Sequence, residues 1–190
     1  MPEFNVIKCR HCGANNRIPE KKTTLPAKCG RCGKLLPADA APPAILTLRC
    51  GKCHVKNRVP ETKLHSGAKC GRCGEALETK DVRSGRPVMV SDGNFDRTVL
   101  ASPLPVLLYG WSPQCSVCGS TGPMVDQLAM ETKGKIRVGK LNTLTNPVLS
   151  HKFNILAVPS FFIFDGGQLK RHLPGAVPKH DLMLEMAKYL

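Results

Sequence analysis

The chain is poor in aromatic side chains. Its 190 residues include one tryptophan, two tyrosines and six phenylalanines, and residues 1 to 80 contain a single one of these, Phe4. Unpaired bases stack on aromatic rings, so this segment offers no platform for single-stranded nucleic acid and could contact only phosphates. Nucleic acid is therefore disfavoured as a partner. Long apolar runs are also missing: nothing approaches the roughly twenty residues that cross a bilayer, and no membrane partner is expected. Residues Met1 to Asn5 lack the basic start and apolar stretch of a secretory signal, so the expected location is cytoplasmic. Acidic residues are scarce, 14 against 28 Lys and Arg, and the formal net charge is +14. The excess is uneven, with 16 basic and 6 acidic side chains in residues 1 to 80 and 12 and 8 in the remainder.

Cysteine, by contrast, is abundant. All ten cysteines fall in C-x-x-C pairs. Without an export signal a reducing compartment is expected, and metal binding or catalysis becomes the default reading of such pairs. Cys9, Cys12, Cys29 and Cys32 recur as Cys50, Cys53, Cys70 and Cys73 at a constant offset of 41 residues. Asn16-Arg17, Pro19-Glu20, Lys22 and the run Ala27 to Gly33 reappear at the same offset, so the module is duplicated. Each quartet has sixteen residues between its pairs, which lets two tight knuckles present four thiolates to one tetrahedral ion. Two structural Zn²⁺ ions are expected, with rubredoxin-like iron or paired disulfides as the alternatives. Four thiolates leave no open position for substrate, so these metals are not catalytic. His11 and His54 flank the ligands and read as ordinary exposed histidines. Gly30, Gly33, Gly71 and Gly74 are expected to take the positive φ of a knuckle. A divalent ion with four thiolates carries a net −2, so two sites offset four of the ten excess positive charges in residues 1 to 80.

Organisation follows from this repeat. Residues 1–37 form a first zinc ribbon, 38–45 a linker, 46–79 a second ribbon, 80–87 a second linker and 88–190 a larger domain. The stretch Pro37 to Pro43 is too rich in proline for a helix and reads as a stiff spacer. Short strands fit at Asn5 to Lys8, Asn16 to Pro19, Ile45 to Arg49 and Asn57 to Pro60, giving modules too small to fold without metal. From Val88 onward strands and helices alternate. Strands are expected at Val106 to Tyr109, Ile136 to Leu141, Ser160 to Phe164 and Gln168 to His172. Helices are expected at Asn94 to Ala101, capped by Ser91 or Asp92, and at Ser116 to Lys133, Pro147 to Phe153 and Pro178 to Leu190. This is an α/β domain with a mixed central sheet flanked by helices.

The fifth cysteine pair is of another kind. Cys115 and Cys118 follow an apolar strand and open a long helix, where a thiolate meets unpaired N–H groups and the positive end of the helix dipole. Cys115 should therefore ionise below the range of a free thiol, while Cys118, one turn further in, is shielded and acts second. Trp111 four residues before the pair, Pro123 five after it, Val158-Pro159 before a strand, Lys140 and Gly175 complete a pattern that resembles the thioredoxin family over roughly residues 88 to 190. The ribbons resemble the single N-terminal zinc module of the thioredoxin 2 class, here doubled.

That resemblance implies a thioredoxin-like fold and a thiol-disulfide oxidoreductase acting on protein disulfides, with Cys115 attacking and Cys118 resolving. It implies a thioredoxin reductase or another dithiol donor as partner. It also implies a cis Pro159, with Val158, Pro159 and Gly175 holding an extended substrate and Trp111 packing under the active-site loop. Pro123 reads as a kink in the helix. Lys140 reads as a partly buried lysine with no proton-transfer role. Several positions depart from the family: Ser116-Val117 stand between the cysteines, Gln114 replaces a tryptophan, Gly119 a lysine, and Tyr109 the buried aspartate that helps deprotonate the second cysteine. The competing function is a zinc-ribbon binding or adaptor protein, for nucleic acid or protein, with a weakly active third domain. In a further reading the ribbons are docking or oxidation-sensing elements that lose zinc to peroxide while the larger domain stays folded.

Overall fold

The alternation of buried and exposed residues along Ile45–Arg49 is the period of a half-buried strand, and the chain uses it twice to build small hairpins. A computed structural model describes residues 4–19, 27–36 and 44–190. These fall into two compact units, residues 1–44 and 45–190. The spacer expected at Pro37 to Pro43 lies outside the described residues.

In the first unit β1 (Phe4–Lys8) pairs antiparallel with β2 (Asn15–Pro19). Ile7, Ile18 and Leu36 bury their side chains beside Cys9 and Cys29. Five residues make a meagre core, as expected for a module that leans on metal.

The second unit begins with the matching hairpin, β3 (Ile45–Arg49) and β4 (Lys56–Pro60), followed by a 3-10 turn at Glu61–Lys63. Its larger part is a five-stranded sheet in the order β5 (Val88–Val90), β7 (Arg137–Asn142), β6 (Val106–Trp111), β8 (Ser160–Asp165), β9 (Gln168–Pro174). The first three strands are parallel, β8 runs antiparallel to them, and β9, antiparallel to β8, returns to their direction. The helices are α1 (Ser116–Glu131), α2 (Pro147–Lys152) and α3 (Lys179–Ala187). Val106 to Gly110 and Ser160 to Phe164 are buried throughout because both faces of these central strands are covered, which is why they read as unbroken apolar runs. On one face Leu107, Tyr109, Val138, Phe161 and Ile163 meet Val125 and Leu128 of α1 and Leu182 and Met186 of α3. On the other, Val106, Leu108, Leu141, Phe162 and Phe164 meet Phe95, Val99 and Leu149. Each fully buried leucine or phenylalanine contributes about 1.5–3 kcal/mol. The mixed sheet between helices is the architecture expected from the sequence.

Two local expectations are corrected. Asn94 to Ala101 is not an α-helix but a single turn with π-type bonding, Asp96–Leu100, entered through an N–H bond from Asn94 to the Ser91 carbonyl. Asp92 does not cap it: its carboxylate accepts from the N–H groups of Val148 and Leu149 at 3.2 and 3.0 Å and so caps α2. Strand β5, three residues long, is too short to show a period in the sequence. Among the described residues no helix is long and apolar enough to cross a membrane.

Candidate active site and metal sites

Strand β6 ends at Trp111 and α1 starts at Ser116, so the intervening loop delivers Cys115 to the N-cap of α1, with φ −91° and ψ 110°. Its Sγ accepts from the Cys118 N–H at 3.1 Å, a donor that a helix start leaves without an intrahelical partner. Cys115 and Cys118 form a disulfide with Cα atoms 5.3 Å apart. Cys118 is 5% exposed, whereas Cys115 is half-buried, so the first sulfur is the accessible one.

The opposite wall comes from the start of β8 and the end of β9. The Val158–Pro159 peptide is cis, and the Val158 carbonyl oxygen lies 3.5 Å from Cys115 Sγ. Gly175, at φ +83°, donates its N–H to the Pro159 carbonyl at 2.9 Å, which fixes the end of β9 beside that segment. An L side chain there would be strained whatever the space around it. Leu156, 87% exposed, and Val117 bring apolar surface to the segments on the two sides of the sulfur. Neither stands out in the sequence, where a lone apolar residue in a loop looks like core.

Beneath the disulfide lies Tyr109, 1% exposed, its ring stacked on Phe161 with centroids 5.2 Å apart. Its hydroxyl donates to the Cys118 carbonyl at 3.2 Å and so ties β6 to the first turn of α1. Burial, and then the Asp126 carboxylate, push its pKa upward, so the phenol is a donor and not a base. Lys140, paired with Tyr109 in register across β6 and β7, makes an ion pair with Asp126 at 2.5 Å. Asp126 carried no signal in the sequence, because its partner is distant in the chain. Trp111 packs against the core below the loop, and its carbonyl accepts from the Thr143 N–H at 2.9 Å. Its indole N–H has no partner among the described residues. Pro123 lies inside α1, where it removes one helical donor.

The other eight cysteines form two clusters, in each of which all sulfurs lie within 4.8 Å of one another. The pairs Cys9–Cys32, Cys12–Cys29, Cys50–Cys73 and Cys53–Cys70 are each 3.6 Å apart. A tetrahedron with metal–sulfur bonds of about 2.3 Å has edges of about 3.8 Å, so the donor sets fit a tetrahedral thiophilic ion. Electrostatics agrees. Backbone N–H groups of Cys32 and Arg31 lower Cys29 to about 6, and those of Cys73 and Arg72 lower Cys70 to about 6. Cys32 receives the Lys34 N–H, yet burial and the sulfurs of Cys12, Cys9 and Cys29 raise it to about 11. Cys73, similarly served by Glu75, is raised to about 12 by burial and its three neighbours. Four such sulfurs do not all ionise unless a cation sits among them.

Sequence reasoning overlooked the brace between the knuckles. Asn16 accepts from the Gly30 N–H at 2.8 Å and donates to the Ala14 carbonyl, and Asn57 does the same with Gly71 and Val55. Recurrence of this asparagine at the 41-residue offset was the available signal. Positive φ is found at Gly33 and Gly74 but not at Gly30 and Gly71, whose N–H groups are taken by these asparagines. In the first pair of each quartet the left-handed residue is Gly13 or His54.

A dithiol pair at a helix start, facing the turn before an antiparallel strand in a five-stranded mixed sheet, defines a thiol-disulfide oxidoreductase. Residues 86–188, more than half of the chain, match the thioredoxin family model, and residues 49–75 match that of the thioredoxin 2 N-terminal zinc ribbon. The chain belongs to the thioredoxin family. It is 43% identical over 101 residues to thioredoxin of Synechocystis sp., which spans 53% of this chain and 94% of that protein. Thioredoxin 1 of Nostoc sp. is 41% identical over the same length and shares. The chloroplastic thioredoxin M-type of Pisum sativum is 38% identical over 102 residues, 54% of this chain and 59% of its own.

Proposed function

We propose that this protein reduces disulfides in protein substrates through a Cys115/Cys118 dithiol–disulfide cycle. The observation that carries the reading is the sulfur of Cys115 at the N-cap of α1, accepting the Cys118 N–H at 3.1 Å beside the Val158 carbonyl. In the reduced protein the Cys115 thiolate attacks one sulfur of the substrate disulfide. A Cys115–substrate bond forms, the substrate S–S bond breaks, and one substrate thiolate leaves. Cys118, losing its proton to solvent, then attacks Cys115 Sγ and expels the second substrate thiolate. Two electrons have passed from the dithiol to the substrate, and the internal disulfide is left. A reductase or small dithiol restores the pair.

Each neighbouring residue has a part in this reading. Val158 and Pro159 present an extended substrate with backbone groups to pair with, Gly175 leaves room for it, and Trp111 supports the loop. Both quartets hold Zn²⁺ in a structural role, supplying the folding energy that the small ribbon cores lack. The five-part division at residues 37, 45, 79 and 87, and action in the reducing cytoplasm, belong to the same proposal. Reduction of insulin with dithiothreitol as donor tests it. The wild-type chain is expected to precipitate the insulin B chain and Cys115→Ser to be inert; an inactive wild type with several dithiol donors would refute it.

A further inference from the structure

The two ribbons share a plan but differ in sequence, and three of the differing positions face the redox domain in the second ribbon. The Arg49 guanidinium grips Asp165 at two points, Nε to Oδ1 at 2.7 Å and Nη2 to Oδ2 at 2.6 Å, with side chains only 20% and 10% exposed. Its third nitrogen donates to the His54 carbonyl at 3.2 Å, and its backbone N–H donates to the Pro103 carbonyl at 2.7 Å. The knuckle at Gly51 rests on Ala101, where an added Cβ would come within 3.3 Å of the Ala101 carbonyl oxygen. His54, at φ 56°, lays its ring against Gly167: a Cβ there would be 3.3 Å from His54 Cε1. Leu46 and Leu48 share a buried cluster with Val82 and Leu104. At the aligned positions the first ribbon carries Lys8 for Arg49, Arg10 for Gly51 and Gly13 for His54. A lysine cannot make the two-point fork, a side chain at position 51 meets the Ala101 carbonyl, and glycine offers no ring.

We infer that Ala101, Pro103, Leu104, Asp165 and Gly167 form a docking surface that accepts the second ribbon and not the first. The stability of the second ribbon, residues 46–79, is thereby coupled to that of the redox domain, while the first ribbon belongs to another compact unit. The surface lies just before β6 and at the end of β8, whereas the disulfide and Pro159 lie at the other ends of these strands. A six-residue strand spans about 17 Å, so the dock touches none of the reacting atoms. Loss of metal from the second quartet therefore acts through the stability of the sheet. The expectation that metal can leave while the redox domain stays intact holds for the first ribbon alone. This inference rests on reading the second quartet as a metal site.

The lone tryptophan, Trp111, lies in the redox domain and reports its unfolding by fluorescence. In the zinc-loaded full chain, Cys70→Ser is expected to remove one of two bound ions and to lower the Trp111 midpoint by about 5 °C or more. Cys29→Ser should remove one ion and leave the midpoint unchanged. Arg49→Glu should lower the midpoint, Arg49→Lys should do so less, and Asp165→Arg combined with Arg49→Glu should recover part of the loss. Equal shifts for Cys29→Ser and Cys70→Ser, or a Trp111 midpoint indifferent to Cys70→Ser and Arg49→Glu, would overturn the inference. Should the wild-type chain bind no metal, the metal reading fails by that measurement, and the Arg49 and Asp165 variants still decide on the dock.

Discussion

Replacing Tyr109 with phenylalanine removes one hydroxyl and keeps the ring, so stacking on Phe161 is retained and no large cavity opens. What disappears is the bond from Oη to the Cys118 carbonyl. That carbonyl lies in the first turn of α1, where it still accepts from the backbone four residues on. The loss is about 1 kcal/mol, a fall of about 3 °C in the unfolding midpoint of a unit this size. Chemistry is affected differently. Burial and Asp126 raise the Tyr109 pKa above its ordinary 10.0, so the phenol stays protonated wherever the dithiol works. A folded pKa above the unfolded one means that the bond's contribution is complete below pH 10 and is lost as pH rises through the raised value. Single-turnover release of product from a Cys115 mixed disulfide, followed from about pH 6 to 9, should therefore show the same pH profile in Tyr109→Phe as in wild type. A profile that loses one limb in the variant would make the phenol a proton acceptor and refute this reasoning.

Three other substitutions probe the frame around the site. Gly139→Ala places a Cβ 2.9 Å from Val90 Cγ2 and 3.1 Å from Leu108 Cδ1, and calorimetry should find it about 1–3 kcal/mol less stable. Asp92→Ala strips two N–H acceptors from the start of α2 and should cost about 1 kcal/mol by urea denaturation, while Asp92→Asn should cost less. Lys140→Met breaks the pair with a half-exposed Asp126; its stability should change by less than about 1 kcal/mol, and disulfide reduction at neutral pH should keep most of its rate.

Much of this architecture could be read from residue patterns. The unbroken apolar runs of β6 and β8 announce strands covered on both faces, and the doubled cysteine quartets announce two ribbons. The helix start at Cys115 followed from a polar loop between an apolar strand and a long amphiphilic stretch. Features made by distant partners were not legible. Asp92 looks like the cap of the turn just after it but serves α2, more than fifty residues on, because only the folded sheet brings the two together. Arg49 and Gly51 look like ordinary variation between repeats until Asp165 and Ala101 are seen against them. Gly30 and Gly71 look, by their place in the knuckle, like left-handed residues, whereas an asparagine from the neighbouring hairpin takes their N–H groups. Asp126 is one acidic residue on a helix until register places Lys140 beside it.

The proposed cycle depends above all on activation of Cys115 by its seat at the start of α1. The most direct measurement is the rate of Cys115 alkylation by iodoacetamide in the reduced full chain carrying Cys118→Ser, across a pH series, with the quartets zinc-loaded and the modified residue identified by mass. The rate should rise through a midpoint well below that of a free thiol and remain high at neutral pH. A midpoint equal to that of glutathione under the same conditions would contradict the account.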